Sequence, residues 1–329
     1  MPEIRKDPVF GRWVIIASER GLRPNEFLAA GEEAGYACPF CPGNENLTPP
    51  TLYSLPGSDG GWRQRVVGNK YPALVPEGTT DSRGDGVYNR SDALGYHEVV
   101  VETPEHGRSL EQLPAEAVAE VLKTFALRVR EMKKDKRMKH VLIFKNHGRN
   151  AGASLLHPHS QIIAMPMAPL RVTQELDGAA AYHKERGSCV YCDIVAAELA
   201  FKKRVVAENS SFLVVAPYAS CFSFELCVLP KKHLSHFEDL PETGAGALAE
   251  VLRTALGKLS ASLPDLAYNL IVHTMPVQEP EAAHYHWHIE ITPKLTRVAG
   301  FEWGTGFYIN TVSPEEAAEI LNSGKKYKV

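Results

Sequence analysis

Two histidines and a glutamine occupy alternate positions, His157, His159 and Gln161, in the segment His-Pro-His-Ser-Gln. In an extended chain alternate residues project from the same face, so the two imidazoles and the carboxamide would lie side by side. A neutral imidazole is a competent nucleophile toward phosphorus near neutral pH, because its unperturbed pKa is about 6.5. A carboxamide can donate to phosphoryl oxygens that gain charge during such an attack. The pattern therefore indicates a site for binding or catalysis on one strand face.

A loop rich in small residues leads into this motif. It covers positions 148–154 and follows a run of β-forming residues at positions 140–144. Glycine and alanine let the backbone come close to a ligand, so amides near Gly152 and the hydroxyl of Ser154 are candidate donors. Arg20 and Arg23, three positions apart, can hold a phosphate with their guanidinium groups. Chemistry alone leaves a structural role for His159 equally open.

The second part of the chain repeats the landmarks of the first in the same order. Each part has a Cys-x-x-Cys pair, then a histidine followed seven positions later by Leu-Pro, an apolar helical pattern, a β-type run and a His-x-His pair. The first helical pattern has apolar residues at 118, 121, 122, 125, 129 and 132, behind Pro114. Because order and spacing both recur, the sequence indicates an internal duplication. The predicted halves are residues 1–172 and 173–329.

The two cysteine pairs indicate two metal sites. Tetrahedral Zn²⁺ takes four nitrogen or sulfur ligands, which a Cys-x-x-Cys pair and two distant histidines can supply. Four protein ligands would leave no open position for a reacting water, so both sites would be structural. Core thiols or a redox pair are the alternatives, and His284 competes with His286 as a ligand. The repeat selects two ligand sets, which are Cys38, Cys41, His106 and His157, and Cys189, Cys192, His233 and His286.

The reactive motif is altered in the second half. There His288 matches His159, and Glu290 matches Gln161. A Pro-Val-Gln-Glu-Pro loop stands where the first half has its small-residue loop. We therefore predict that the second half has kept the scaffold and lost the chemistry.

The composition is that of an ordinary globular protein. The 329 residues are 44% hydrophobic and 23% charged, with a net charge of −3, which disfavours a nucleic-acid partner. No apolar run approaches the roughly 20 residues that span a bilayer, so we expect no membrane partner. The N-terminus has no apolar signal region, and we expect a cytoplasmic protein.

Further motifs lie in order around His-Pro-His-Ser-Gln. They are Ser-Glu-Arg-Gly-Leu-Arg-Pro, Cys-Pro-Phe-Cys, Val-Gly-Asn, Glu-Thr-Pro-Glu-His, Asn-x-Gly, Gly-Ala-Ser and the C-terminal Gly-Phe-Glu-Trp-Gly-Thr-Gly-Phe-Tyr-Ile-Asn. Together they resemble the galactose-1-phosphate uridylyltransferase family of the histidine-triad superfamily, over nearly the whole chain. The resemblance implies an α+β fold of two histidine-triad-like halves, each an antiparallel sheet with helices packed on one side. It also implies a homodimer, with a site that the partner subunit can complete.

The resemblance also implies roles for individual residues. His159 matches a histidine that forms a covalent nucleotidyl intermediate, and Gln161 is the second catalytic candidate. The first Cys/His set matches the family's zinc ligands, and the second resembles plant-type relatives with two zincs, whereas other members hold iron at a Glu/His site. Ser160 stands where many relatives carry glycine. Nucleotide contacts are implied for Asn69, Asn146, Ser154 and Gln161, and sugar-phosphate contacts for Glu302 and Asn310, whose segment could instead be a turn and helix cap.

The implied activity is that of a UDP-glucose–hexose-1-phosphate uridylyltransferase in galactose metabolism. UMP would pass from UDP-glucose to galactose 1-phosphate through a uridylyl-histidine, so the partners are a nucleotide sugar and a sugar phosphate. The alternative is an ADP-glucose or dinucleoside-polyphosphate phosphorylase, in which phosphate accepts AMP. Two zinc sites and the Gly-Thr-Gly-Phe-Tyr-Ile-Asn segment are also features of a plant ADP-glucose relative. Gln161 disfavours a histidine-triad hydrolase, which usually has histidine there, and the acidic balance disfavours a zinc-scaffolded binding module.

Overall fold

The structure is a computed structural model, and it describes residues 2–8, 12–17, 37–58 and 60–327. The elements of the first half are β1 (Glu3–Lys6), β2 (Trp13–Ile16), β3 (Thr51–Pro56), β4 (Trp62–Gly68), β5 (Arg83–Asp85), β6 (Tyr88–Asp92), β7 (Tyr96–Val101), α1 (Ala115–Lys133), β8 (His140–His147) and β9 (His159–Met165). Those that follow are α2 (Leu170–Arg186), α3 (Val190–Phe201), β10 (Val205–Glu208), β11 (Phe212–Val215), β12 (Leu226–Pro230), α4 (Glu242–Ser262), β13 (Tyr268–His273), β14 (His288–Pro293), α5 (Gly300–Thr305) and α6 (Pro314–Ser323).

Ten strands form one sheet that runs through both halves, in the order β10-β11-β12-β14-β13-β8-β9-β7-β4-β3. Each pairing in it is antiparallel. Counting outward from the central β8/β13 pair, strands β9, β7, β4 and β3 on one side correspond in order to β14, β12, β11 and β10 on the other. The structure thus has the internal repeat that the sequence indicated, with the two sheets joined edge to edge. A separate four-stranded sheet has the order β2-β1-β6-β5.

Helices α1 and α4, which occupy corresponding places in the repeat, pack together on one face of the long sheet. The apolar pattern predicted behind Pro114 is confirmed as α1, and its buried residues include Val118, Leu122, Phe125 and Val129. On the same sheet face, alternate strand residues such as Ile143 of β8 complete the core. Burying a side chain of this size stabilises the fold by about 1.5–3 kcal/mol, so this layer fixes the position of β8 and β9.

The opposite face of the sheet is covered differently in the two halves. In the first half, the loop around the first cysteine pair packs on it through Cys38 and Phe40, against Val99 and Val101 of β7. In the second half, α3 packs on β11 and β12, and α2 packs on the segment before β14. A cavity is left beside β9 in the first half. In the second half α2 and α3 lie over the corresponding face and enclose a cavity of about 530 Å³, whose lining includes His273, His288 and Glu290.

The predicted α+β class with antiparallel sheets and helices is confirmed. Two features were not predicted, namely the junction of the sheets at β8/β13 and the placement of α2 and α3 on the second face. The predicted boundary between residues 172 and 173 lies inside α2, and the division into two domains stays a prediction. Within the described residues, none of the helices combines the length and apolar character that a bilayer-spanning segment requires.

Candidate active site

His159 is the first residue of β9, on the sheet face opposite α1 and α4. Its Nδ1 lies 2.8 Å from the backbone oxygen of His157, and a carbonyl oxygen can only accept. In the neutral ring the proton is therefore on Nδ1, and the lone pair is on Nε2. Phe40 packs beside the imidazole, with ring centroids 5.3 Å apart. The ring is thus held in the tautomer in which Nε2 is nucleophilic.

Gln161 lies two positions further along β9, and its carboxamide has a fixed orientation. The Oε1 atom lies 2.9 Å from His97 Nε2 and 3.4 Å from Asn69 Nδ2. The backbone N–H of Ala73 donates to His97 Nδ1 at 3.0 Å, so the neutral ring carries its proton on Nε2 and donates it to Gln161. Because its oxygen accepts these bonds, Gln161 presents its NH₂ group as a donor, which suits phosphoryl oxygens that gain negative charge.

A cavity of about 280 Å³ lies beside His159 and Gln161. Asn69 and Ser154 add polar groups to its lining. Most of the wall is apolar, from Phe40, Leu47, Pro49, Val67, Val99 and Leu155. The cavity can therefore hold a molecule that joins an apolar ring system to a polar group near the nucleophile.

The loop before the motif begins at Gly148, which has φ of +79°. A Cβ there would meet the Cβ of Ala267 at 2.8 Å, so glycine is what lets the loop pass this close to the second half. A 3₁₀ turn at Arg149–Ala151 follows. Of the three candidates Asn146, Gly152 and Ser154, the structure brings only Ser154 into the lining of the cavity.

The first predicted ligand set forms a cluster behind the nucleophile. Cys41 Sγ lies 3.4 Å from His106 Nδ1 and 3.6 Å from His157 Nδ1, and Cys38 completes a set whose ligand atoms lie within 4.8 Å of one another. Sulfur and nitrogen bound to one tetrahedral zinc would be about 3.5 Å apart. His157 Nε2 lies 2.8 Å from the carbonyl oxygen of Thr103 and donates to it, which leaves Nδ1 as the metal-binding atom. This arrangement suits a tetrahedral metal ion.

The second predicted ligand set forms an equivalent cluster. Cys192 Sγ lies 3.4 Å from His233 Nδ1 and 3.7 Å from His286 Nδ1, and Cys189 joins them. His286, rather than His284, brings its ring into the cluster; His284 instead offers its backbone oxygen to Cys189 Sγ at 3.6 Å. The duplication therefore extends to the geometry of the two candidate metal centres.

Burial sets the protonation of the ligands in both clusters. It raises the pKa of the Cys38 thiol to about 12 and that of Cys192 to about 11. It lowers the pKa of His157 and of His286 to about 4. Neutral imidazoles can bind a metal directly, whereas buried thiols lose their protons only beside a compensating cation. Both clusters thus have the chemistry of metal sites.

In the second half, the histidine that matches the nucleophile lies in an ion-pair cluster. His288 stacks on His273, with ring centroids 4.5 Å apart. Glu175 of α2 lies 3.0 Å from His273 Nδ1, and Glu290 lies 3.1 Å from its Nε2. A carboxylate therefore occupies the place that Gln161 has in the first half. Glu175, His273 and His288 also bring ligand atoms within 4.8 Å of one another, separately from the Cys/His cluster.

Two other predicted contacts, Glu302 and Asn310, are not in the lining of the cavity. Arg20 and Arg23 lie outside the described residues. Glu302 caps α5 by accepting from the backbone of Ala299, and Asn310 donates to the carbonyl of Ser220. Within this chain Glu302 and Asn310 thus make the local contacts of a cap and a turn, and their substrate contacts stay predictions.

Sequence reasoning missed His97, which orients Gln161 through the hydrogen bond described above. The available signal was a histidine two positions before the apolar run 99–101, on the same strand face as Val99 and Val101. Its importance depends on the pairing of β7 with β9, which places His97 opposite Ile163. Local periodicity does not reveal which strands are neighbours, so the sequence alone could not connect His97 with Gln161.

Comparison with known proteins identifies related families and enzymes. Residues 1–169 match the family model for galactose-1-phosphate uridyl transferase, N-terminal domain, and residues 112–324 match a model for a domain of unknown function. An ADP-glucose phosphorylase from Arabidopsis thaliana is 37% identical over 97% of this chain and 92% of its own length. A galactose-1-phosphate uridylyltransferase from Thermotoga maritima is 28% identical over 98% of each chain.

Solved structures agree with these relationships. The crystal structure of an ADP-glucose phosphorylase from Arabidopsis thaliana with bound ADP-glucose superposes with a TM-score of 0.79 at 36% identity, covering 98% of this chain and 99% of that one. A uridylyltransferase structure superposes with a TM-score of 0.82 at 29% identity, covering 98% of each chain. The similarity therefore includes both halves and the junction between them.

Proposed function

This chain belongs to the galactose-1-phosphate uridylyltransferase family of the histidine-triad superfamily, and from that premise we propose that it is an ADP-glucose phosphorylase. The observation that carries the choice within the family is the 37% identity to the Arabidopsis ADP-glucose phosphorylase, against 28% to the uridylyltransferase of Thermotoga maritima. Both values extend over nearly the whole chain. The function proposed is thus the alternative that accompanied uridylyl transfer in the sequence analysis.

In the first step, His159 Nε2 attacks the α-phosphorus of ADP-glucose. A nitrogen–phosphorus bond forms while the bond from phosphorus to the oxygen of glucose 1-phosphate breaks, and glucose 1-phosphate leaves. The support for this role is the hydrogen bond from His159 Nδ1 to the carbonyl of His157, which leaves the lone pair on Nε2. The product is an adenylyl-histidine.

In the second step, an oxygen of inorganic phosphate attacks the same phosphorus atom. The new phosphorus–oxygen bond forms as the bond to His159 Nε2 breaks, which releases ADP and restores the neutral imidazole. One ADP-glucose and one phosphate thus give one ADP and one glucose 1-phosphate. Because the acceptor enters after the first product has left, the kinetics should be ping-pong.

The phosphoryl oxygens need donors in both steps. The NH₂ group of Gln161 and the hydroxyl of Ser154 are proposed for this task, since both side chains line the cavity beside His159. Asn69, which also lines the cavity, and Asn146 are proposed contacts to the nucleotide. The other contacts that we propose are Arg20, Arg23 and Gly152 to phosphate, and Glu302 and Asn310 to the sugar phosphate.

Zinc is the metal proposed for both Cys/His clusters. Two thiolates and two neutral imidazoles are a donor set that zinc prefers, and the sulfur–nitrogen separations agree with its tetrahedral geometry. Bound zinc supplies structure, because the four protein ligands complete its shell. In the first half, Cys38, Cys41 and His106 would hold the ring of His157, whose carbonyl in turn orients His159.

Uridylyl transfer from UDP-glucose to galactose 1-phosphate is the second candidate. It is favoured by the match of residues 1–169 to the uridyl transferase model. The same His159 attack would then give a uridylyl-histidine, and galactose 1-phosphate would be the acceptor. The two candidates differ in the base that fills the cavity and in the nucleophile that discharges the intermediate.

Intact-protein mass spectrometry separates these candidates. The protein is mixed with ADP-glucose or with UDP-glucose, and each loaded sample is then given inorganic phosphate or galactose 1-phosphate. We expect an AMP adduct that phosphate removes. A UMP adduct that galactose 1-phosphate removes would establish the uridylyltransferase instead.

Two variants test the assignment of the nucleophile. His159→Ala should form no adduct, whereas His183→Ala, which changes a half-buried histidine on α2, should be labelled like the unmodified protein. Absence of any adduct with the unmodified protein, or an adduct that persists in His159→Ala, would overturn the proposed mechanism.

A further inference from the structure

Asn269 belongs to the second half of the chain, yet its side chain contacts the loop that precedes the nucleophile. Asn269 is on β13, directly opposite Asn146 of β8. Its Nδ2 donates to Asn146 Oδ1 at 2.8 Å and to the backbone oxygen of Ala151 at 2.9 Å. Both partners lie in the segment for which the sequence analysis predicted ligand contacts. The half without a matching reactive motif is therefore in direct contact with the strand end and loop that lead to the nucleophile.

These two bonds fix the orientation of the Asn269 carboxamide and, through it, that of the Asn146 carboxamide. The carbonyl of Ala151 can only accept, so the atom of Asn269 that faces it must be the nitrogen. The same nitrogen faces Asn146, which must then present its oxygen. The Nδ2 of Asn146 is consequently on the side of its carboxamide that faces away from β13. One backbone carbonyl thus determines which group Asn146 offers to a ligand.

Asn146 lies on β8, the strand that pairs with β9. The last pair of this antiparallel register joins Phe144 of β8 to Gln161 of β9. Asn146 is two residues beyond Phe144, so by the two-residue period it is on the sheet face of Phe144 and Gln161, which is also the face of His159. Since Oδ1 of Asn146 faces Asn269 on β13, its NH₂ group is directed toward the β9 side of β8, where His159 begins the strand.

We propose that Asn269 is a positioning residue for the nucleotidyl transfer, which acts by turning the NH₂ group of Asn146 toward the phosphoryl group and by holding the loop at Ala151. This role rests on the proposed function, because it requires a phosphoryl group at His159. Among the described residues, the backbone bonds within this loop run from the N–H of Ala151 to Gly148 O at 3.2 Å, from Gly152 to Arg149 at 3.0 Å and from Ala153 to Gly148 at 3.3 Å. In this way the second half contributes to the reaction without chemistry of its own.

Asn269→Asp tests the proposal with almost no change in shape. A carboxylate has no hydrogen to donate, so it repels the carbonyl of Ala151 and attracts the NH₂ group of Asn146. Asn146 would then turn its oxygen toward the phosphoryl group. Asn322→Asp is the matched control, because Asn322 also donates to a backbone carbonyl of the second half, that of Val205, at 2.8 Å.

Two measurements are needed on both variants. The first is the rate at which nucleotide sugar labels the protein, which we expect to fall about tenfold to a hundredfold in Asn269→Asp and to stay unchanged in Asn322→Asp. In an Asn146→Ala background, Asn269→Asp should slow labelling less than it does alone, because only its hold on the loop at Ala151 is still lost. The second is hydrogen exchange of the amides at 151–153, which should become faster in Asn269→Asp alone.

The possible outcomes separate this role from the proposed function. If the unmodified protein is labelled and Asn269→Asp is labelled at the same rate, the positioning role is overturned and the proposed function stands. The role is also overturned if Asn269→Asp slows labelling equally in the Asn146→Ala background. If the unmodified protein is labelled by neither nucleotide sugar, the proposed function fails, and the role of Asn269 in the reaction fails with it.

Discussion

Lys145 and Glu102 form an ion pair inside the protein, directly behind the strand that carries the nucleophile. Lys145 Nζ lies 2.8 Å from Glu102 Oε2, and the two side chains are 2% and 0% exposed. Lys145 also donates to the backbone oxygen of His159 at 3.2 Å, and the Ser160 hydroxyl donates to Glu102 Oε1 at 2.5 Å. The three side chains are on the helix-covered sheet face, whereas the His159 imidazole is on the other. The pair therefore fixes the backbone of His159 from the helix-covered side of the sheet.

Replacing Lys145 with methionine should destabilise the protein by about 3–5 kcal/mol, because it leaves the Glu102 carboxylate buried without a counter-charge. Denaturant unfolding of Lys145→Met measures this loss. The control is Arg63→Met, which breaks the more exposed pair with Glu120, at 50% and 30% exposure, and should cost below about 1 kcal/mol. Equal losses in the two variants would show that Glu102 is not held as a buried charge.

Several parts of the candidate site could be predicted because their signal is local. His159 and Gln161 share a strand face through the two-residue period, and this holds wherever the strand lies in the sheet, whereas His157 precedes β9 and joins the first Cys/His cluster. The Cys/His sets could be chosen because the repeat singled out the same positions twice. Lys145 is different: a lysine in the run at 140–147 is consistent with an exposed strand end, and its burial depends on Glu102, the residue that follows β7.

The fold could be predicted as a class but not as an arrangement. The resemblance implied two antiparallel sheets with helices, and the repeat implied that they are alike. The joining of the two sheets into one depends on the pairing of β8 with β13. This pairing places Asn146 opposite Asn269, which is 123 residues away in the sequence. Such a pairing joins residues far apart in the sequence, and no local pattern reveals it.

Loss of the His97 side-chain donor should slow the formation of the nucleotidyl intermediate. In His97→Phe the oxygen of Gln161 loses its donor at 2.9 Å, so the carboxamide can turn and present oxygen instead of NH₂ to the phosphoryl group. We expect the single-turnover labelling rate to fall about tenfold to a hundredfold. His140→Phe, which changes a buried histidine at the start of β8, is the control and should leave the rate unchanged. An unchanged rate in His97→Phe would mean that Asn69 alone orients Gln161.

The two candidate metal centres should differ in their effect on activity. Cys41→Ser and Cys192→Ser should each reduce the metal content, measured by mass spectrometry of the elements, from two ions to one. Only Cys41→Ser should also slow labelling, by about tenfold to a hundredfold, because its cluster includes His157, whose carbonyl orients His159. If Cys192→Ser slowed labelling to the same extent, the second centre would have a role in the reaction.

The matching histidine of the second half should be dispensable for the reaction. His288→Asn removes a ring that stacks on His273, in a place where Glu290 would repel a phosphoryl group. We expect labelling within about twofold of the unmodified protein and a lower unfolding midpoint, whereas His159→Asn should abolish labelling. If His288→Asn abolished labelling while fold and metal content were intact, the second half would have kept its chemistry.

The stability of the second half should depend on pH through His273. The Glu175 and Glu290 carboxylates raise the pKa of His273 to about 9 despite its burial, and the pKa of each carboxylate is lowered to about 2. The His273 contribution is therefore complete below its unfolded pKa of about 6.5 and is lost as the pH rises through about 9. The carboxylates contribute above their unfolded pKa of about 4.3, and this contribution is lost toward pH 2. Between these limits a protonated ring lies between two carboxylates.

His273→Gln should consequently destabilise the protein most near pH 6, by an amount on the order of 2 kcal/mol, and much less near pH 9.5. The measurement is the difference in the free energy of unfolding between the two proteins across this range. His183→Gln, on α2 and half-buried, should show no such trend. A neutral His273 ring would not be stabilised by the two carboxylates at any pH in this range. A difference in the free energy of unfolding that stays constant from pH 6 to pH 9.5 would therefore show that the ring is not protonated in the folded state.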